Sequence, residues 1–356
     1  MKQIVKNSFS AELLKWNRYE NKRTMPWKGE KDPYKIWLSE IILQQTRVEQ
    51  GLKYYERFLE AFPTIHSLAT APEKKVFKLW EGLGYYTRCR NLIAAAKFIS
   101  VEKKGQFPNT YEEIKALKGI GPYTAAAIAS FAFNLPYAVV DGNVQRVIAR
   151  ILGIHTPVDT TQGKKLFASL AGDLLDKRKP GVYNQAIMDF GATVCKPMAP
   201  LCHDCFFKKS CYAFSKNQVK TLPVKEKETI VKKRWLYYLV LTYQDNLLIR
   251  QRTQKDIWQG LYEFLPVETE REENTTSVIT RAVEQYQLSA NNMKLISVSA
   301  KITQQLTHQL ITGRFIKLTL AQKPRLGKEW RWIPAHKLEQ YPFPVFINLY
   351  LKSPNV

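Results

Sequence analysis

The chain has 356 residues, 45% of them hydrophobic, with 54 Lys and Arg against 31 Asp and Glu, a net charge of +23. That length and apolar content exclude a disordered chain and allow one or two domains with cores of their own. The positive charge fits a polyanionic partner, most simply nucleic acid, or else a generally basic soluble protein.

No run reaches the ~18 apolar residues of a membrane span. The opening MKQIVKNSFSAELLKW lacks a signal-peptide core and cleavage site. A cytoplasmic protein with reduced thiols and no membrane partner is expected.

Residues 1–215 read as helical. Apolar residues recur at helical intervals in WLSEIILQQTRVEQGLKYYERFLEAF (37–62) and YTAAAIASFAF (123–133), with Gly and Pro between such runs. Glu40 sits among apolar positions on a helix that should face the core. A buried Glu has a raised pKa and can stay protonated, or it pairs with an Arg or Lys. In L117-K-G-I-G-P-Y-T124, Gly119 and Gly121 allow close backbone approach and Pro122 suits a first helical position. The stretch is a phosphate-binding helix start or a plain turn. Asp141, in V139-V-D-G-N-V-Q-R146, reads as a helix cap.

Four of the five cysteines, Cys195, Cys202, Cys205 and Cys211, follow as C-x6-C-x2-C-x5-C. In a reducing compartment such a cluster binds metal, and both zinc and a [4Fe–4S] cube accept four thiolates. Cys89 lies apart in a basic helix and reads as a free thiol. A basic linker follows at 216–231; it is a solvated spacer or lies along phosphates. Residues 232–356 read as α+β, with strands near 235–243, 247–252 and 314–320 and one helix near 277–286.

The cysteine spacing resembles the iron–sulfur loop of the endonuclease III superfamily of DNA glycosylases, and Lys208 and Lys209 within it suit phosphate. The Gly119–Gly121 stretch resembles that superfamily's helix-hairpin-helix, which grips a DNA phosphate, and Asp141 matches the Asp that follows it. S39-E-I-I-L-Q-Q-T46 narrows the resemblance to adenine DNA glycosylases of the MutY type.

The resemblance implies two domains. An all-α helix-hairpin-helix glycosylase domain with a [4Fe–4S] loop (195–211) spans 1–215. An α+β MutT/Nudix-like domain spans 232–356. It implies a nucleoid-associated monomer that removes adenine mispaired with 8-oxoguanine or guanine in double-stranded DNA. Neutral Glu40 would protonate the base, and anionic Asp141 would stabilise the charge on the sugar or bond to it. Tyr123 and Asn143 would orient these groups. Tyr123 stands where bifunctional relatives carry a Schiff-base Lys, which implies a glycosylase that leaves the backbone uncut.

Gln185 matches a position that hydrogen-bonds the flipped adenine. Gln45 and Tyr85 match side chains that wedge into the stack, Thr46 and Leu43 lie beside the oxidised base, and Arg23 and Trp27 match the active-site rim. Ordinary packing is the rival for Leu43, Trp27 and Tyr85. W258-Q-G-L-Y-E-F264 matches the MutT-like domain. In R281-A-V-E-Q-Y-Q287, Ala282 and Gln285 replace Glu, so no pyrophosphohydrolase activity is implied. Thr307 and His308 match the Ser-His of an oxidised-base-reading tip, while Leu306 replaces its Phe, so stacking there is not implied.

Two rival functions remain open on the sequence. One is a related glycosylase for another lesion, against which Glu40 in its L-Q-Q-T context, Tyr123 and the MutT-like extension argue. The other is a non-catalytic iron–sulfur protein that binds lesions, against which the pair Glu40 and Asp141 argues.

Overall fold

The structure is a computed structural model that describes residues 3–226 and 230–353. Its helices run α1 (Gln3–Tyr19), α2 (Pro33–Leu43), α3 (Val48–Ala61), α4 (Ile65–Thr70), α5 (Glu73–Trp80), α6 (Tyr86–Glu102), α7 (Tyr111–Ala116), α8 (Pro122–Phe133), α9 (Gly142–Leu152), α10 (Thr161–Leu174), α11 (Pro180–Thr193) and α12 (Tyr212–Ser215).

The helix expected across 37–62 is two helices. α2 ends at Leu43, Gln45 takes a left-handed φ of 55°, and α3 begins at Val48. Neither Gly nor Pro marks this break, so apolar periodicity runs straight through it.

α9 shows how sequence builds these helices. Asp141 caps its start, and Val144, Val147, Ile148 and Ile151 recur at helical spacing and are buried. Gly153, at φ 71°, ends it in the left-handed conformation that glycine adopts without penalty. The buried face joins Phe9, Leu13 and Trp16 of α1 with Phe167 and Phe190 in one core. Each such side chain contributes about 1.5–3 kcal/mol on burial.

By packing, the chain divides into two units: Met1–Thr70 with Ala94–Lys227, and Ala71–Ile93 with Glu228–Val356. Residues 71–93, expected within the helical domain, therefore group with the C-terminal part. The Glu81 carboxylate accepts from the Phe343 amide at 2.8 Å and from Asn348 Nδ2 at 3.0 Å. Lys78 Nζ donates to the Tyr341 carbonyl at 3.3 Å. Helical periodicity reveals that one face is buried, but not against what.

The linker expected at 216–231 is no solvated spacer over its first part. Leu222 is buried in the helical core and its carbonyl accepts from Arg150 Nε at 3.0 Å. The Val224 carbonyl accepts from the Val158 amide at 3.0 Å. Residues 227–229 of that stretch lie outside the described residues.

The second unit is built on a mixed sheet. Its strands are β1 (Lys232–Tyr243), β2 (Asn246–Gln251), β3 (Tyr262–Glu263), β4 (Leu265–Thr269), β5 (Met293–Val298), β6 (Ile302–Gln305), β7 (Gln309–Gly313), β8 (Phe315–Leu320) and β9 (Trp330–Pro334). β1 is its spine, antiparallel to β2 and β4 and parallel to β7 and β8. The expected helix is α13 (Thr275–Tyr286), packed on this sheet. A second helix, α14 (Val345–Leu351), was not foreseen; its Tyr350 ring stacks on Phe315 at 4.2 Å. The fold is thus an all-α part followed by an α+β part.

Candidate active site

Glu40 lies near the end of α2 between buried Trp37, Leu38, Ile41 and Ile42, and is itself 8% exposed. Burial pushes its pKa up to about 7; a hydrogen bond from Tyr123 opposes the rise and the charge of Asp141 adds to it. Its hydrogen-bonding partner is therefore a tyrosine rather than the Arg or Lys that was the alternative. Tyr123 sits in the first turn of α8, its hydroxyl also 3.4 Å from Met188 Sδ. Burial and the Glu40 and Asp141 carboxylates hold that phenol well above its ordinary range, so it stays a donor.

Asp141 occupies the N-cap of α9. Its Oδ1 accepts from the Val144 amide at 2.8 Å and its Oδ2 from Asn143 Nδ2 at 2.7 Å. Asn143 is held in turn, its Oδ1 accepting from Arg146 at 2.8 Å. The same guanidinium donates to the carbonyls of Gly191 and Cys195, each at 2.8 Å. Glycine is needed at 191, since a Cβ there would stand 2.7 Å from that of Asn143.

Glu40 and Gln185 line a cavity of about 210 Å³, together with Trp27, Lys28, Ser39 and Val182. Tyr123, Asp141 and Asn143 are not part of that lining. Trp27 also packs edge-to-face on Tyr55 at 5.4 Å, so it serves both cavity and core. Beside the cavity stands Asp189, fully buried on α11. It accepts from Asn21 Nδ2 at 2.8 Å, Arg23 at 3.0 Å, Lys28 Nζ at 3.0 Å and Gln185 Nε2 at 2.9 Å.

Cys195, Cys202, Cys205 and Cys211 carry no disulfide and line one pocket with Phe190, Phe207 and Arg150. Arg150 is buried and points NH1 at Cys195 Sγ, 3.5 Å away, while gripping the Lys196 carbonyl at 2.7 Å. Among the described residues no three His, Cys, Asp or Glu side chains stand close enough for a single metal ion. Four thiol donors beside a guanidinium fit a thiolate-bound group of net negative charge. Cys89 is buried and its thiol is pushed up by burial, which makes it inert.

The remaining candidates lie on turns. Gln45 and Thr46 are in the break between α2 and α3, with Gln45 exposed. Leu43 is packed so closely on Gly51 that a Cβ there would meet it at 2.7 Å. Gly119 has φ 84°, which demands glycine; Gly121 caps α8 at φ −93° with open space around it. Pro122 is the first residue of α8, as expected.

In the second unit, Leu306, Thr307 and His308 form the three-residue turn between β6 and β7. The Tyr85 hydroxyl is hydrogen-bonded to Thr307 Oγ1. Tyr85 is 45% exposed and has φ 49°, so packing does not account for it. Ala282 is buried against the sheet and Gln285 is exposed.

Residues 38–170 match the HhH-GPD superfamily base excision DNA repair protein family, and residues 236–353 match the NUDIX domain family. The adenine DNA glycosylase of Buchnera aphidicola subsp. Baizongia pistaciae (strain Bp) is 37% identical over 257 residues, covering 72% of this chain and 73% of that protein. The chain belongs to the adenine DNA glycosylase family.

A human adenine DNA glycosylase is 40% identical over 215 residues, 58% of this chain and 39% of that protein. Among solved structures, a thermostable thymine-DNA glycosylase is 29% identical with a TM-score of 0.55, covering 59% of this chain and 97% of the other. An endonuclease III trapped as a covalent DNA intermediate is 20% identical, with a TM-score of 0.53 over 61% of this chain and 99% of that one; it shares the fold. An adenine DNA glycosylase is a hydrolase, and its fold here is a helix-hairpin-helix domain followed by a NUDIX domain.

Three groups of this glycosylase escaped the sequence reading: Asp189, Lys28 and the Arg146–Arg150 pair. Asp189 lies one helical turn after Gln185, and Arg150 one turn after Arg146. That spacing was the available signal, but it does not tell a buried partner from a solvated face.

Proposed function

We propose that this glycosylase releases adenine mispaired with 8-oxoguanine, or with guanine, in duplex DNA and leaves the backbone uncut. The observation that carries the reading is a buried Glu40, its pKa near 7, hydrogen-bonded by Tyr123 and within the field of Asp141. A carboxyl group raised into the acid role and a second carboxyl group nearby are what glycoside cleavage needs.

The target adenine leaves the stack to enter the cavity. Glu40 donates its proton to the ring nitrogen of the base's five-membered ring, which makes the base a leaving group. Asp141 stabilises the positive charge that builds on the sugar, or bonds to it. Asn143 holds that carboxylate in place, and Tyr123 keeps Glu40 oriented. With Tyr123 at the position of the superfamily's nucleophilic Lys, no amine is supplied for strand cleavage. Water completes hydrolysis, with Glu40 taking back a proton.

Gln45, Thr46 and Leu43 of the first unit are contacts to the opposite base in this reading, and so, separately, are Tyr85, Thr307 and His308 of the second. The +23 charge, the Gly119–Gly121 hairpin and Lys208 and Lys209 hold phosphates. The test is single-turnover base release from duplexes carrying adenine opposite 8-oxoguanine, adenine opposite guanine, and guanine opposite thymine. Release from the first is expected to be fastest. Binding of the first duplex without adenine release would end the catalytic reading, and faster thymine release would move the enzyme to another lesion.

Cys195, Cys202, Cys205 and Cys211 hold a [4Fe–4S] cluster in this reading. When bound it cross-links the loop, and no step of base release uses it. Four thiol donors on one short loop, in a family of this fold, support it over zinc. Purified protein is expected to be yellow-brown, with about four irons per chain. A colourless protein with zinc in its place would sink this assignment.

A further inference from the structure

Asp189 is the most heavily hydrogen-bonded carboxylate beside the cavity, and no part of the mechanism uses it. Its two oxygens take four donors, two each: Arg23 and Gln185 on Oδ1, Asn21 and Lys28 on Oδ2. A carboxylate has about four lone-pair sites, so it is saturated and has none left for a substrate. Its effect passes through what it holds.

Of the groups it holds, Gln185 and Lys28 line the cavity, and of these two only Gln185 carries an acceptor. Asp189 accepts at both oxygens, and Gln185 meets it with Nε2 donating to Oδ1 at 2.9 Å. Gln185 can therefore meet it only through its NH2 end. Its amide loses the freedom to flip, and Oε1 is the one acceptor left on it. Among the described residues nothing hydrogen-bonds that Oε1. A fixed acceptor there suits a ring amino group and opposes a ring carbonyl.

We propose that Asp189 is the positioning residue that makes the cavity select a 6-amino purine over a 6-oxo purine, by locking the Gln185 amide with Oε1 inward. The inference rests on the reading of Gln185 as a base contact, and deepens it. Replacing Asp189 by Asn would release the lock. An Asn at 189 offers an NH2 as well as an oxygen, so Gln185 can turn and present its own donor.

The experiment is equilibrium binding of the full-length protein to duplexes with an uncleavable 2′-fluoro sugar. These carry adenine, purine or hypoxanthine opposite 8-oxoguanine, so leaving-group chemistry does not enter. Wild type is expected to bind in the order adenine, purine, hypoxanthine, with about tenfold or more between first and last. Wild type that binds hypoxanthine as tightly as adenine overturns the proposal without any variant. Asp189→Asn is expected to bring the adenine-to-hypoxanthine ratio within about threefold. An equal loss on all three bases, with the ratio kept, would mean a merely structural role and overturns it. Gln185→Leu separates the two readings. If it keeps the wild-type ratio, the Gln185 contact itself is wrong and the proposal falls with it. If it loses the ratio while Asp189→Asn retains it, only the positioning role is refuted.

Discussion

Asp141→Asn is expected to bind an adenine–8-oxoguanine duplex within about threefold of wild type and to release adenine about a thousandfold more slowly. The two outcomes separate because the carboxylate has two tasks. As an N-cap, Asp141 satisfies the Val144 amide at the start of α9, and Asn caps a helix about as well as Asp. The one amide oxygen stays on the Val144 cap, and the NH2 that replaces Oδ2 can no longer accept from Asn143 Nδ2. The helix start at α9 should therefore survive, with that one bond lost. In the proposed mechanism the variant also loses the group that stabilises positive charge on the sugar, worth several kcal/mol in a site screened from water. Single-turnover kinetics beside a binding titration reads both. A near-normal rate would remove Asp141 from the chemistry. Loss of binding in parallel with rate would make its role architectural.

The second large effect is in the pH profile. Glu40 acts as an acid only while protonated, and burial, helped by the Asp141 charge against the Tyr123 hydrogen bond, puts its pKa near 7. The single-turnover rate should be flat just below that value and fall about tenfold per pH unit above it. Folding stability moves the same way. The folded-state pKa lies above the ordinary 4.5, so the protonated form is the stabilised one. Its contribution is complete below about pH 4.5 and is lost as pH rises through 7, on the order of 3 kcal/mol in all. Glu40→Gln keeps a polar partner for Tyr123 and cannot ionise. It should lose about 10²–10⁴ in rate and, above pH 7, be more stable than wild type. A rate that stays level to pH 9, or a variant that works normally, would take the proton donor away from Glu40.

The proposed catalytic carboxylates and the thiols were legible in the chain because their signals are local. Glu40 was set in an apolar helical run, Asp141 between a strand-like stretch and a helix, and four cysteines within seventeen residues. Each pattern is bounded by one or two turns of chain, within the range over which periodicity and capping rules hold. The pKa of Glu40 was foreseen in direction for the same reason: burial followed from its neighbours in sequence. Asp189 was not legible. In Y183-N-Q-A-I-M-D-F190 it looks like any helical Asp. Its partners Asn21, Arg23 and Lys28 lie more than 160 positions away.

The same distinction separates the other agreements from the corrections. Strands β1, β2 and β8 and helix α13 were visible as aromatic and β-branched or helical runs. The break at Gln45 was not, because a left-handed residue without Gly or Pro leaves no compositional mark. By itself the sequence determined the helical character of 1–215, strands β1, β2 and β8, helix α13, the cysteine loop and the family, since these depend on residue types at short spacing. Only the tertiary structure decided that residues 71–93 pack with the C-terminal unit, that Tyr85 meets Thr307, and that Asp189 saturates itself on two cations and two amides. Those outcomes depend on which buried faces meet across long separations, and periodicity carries no information about the partner.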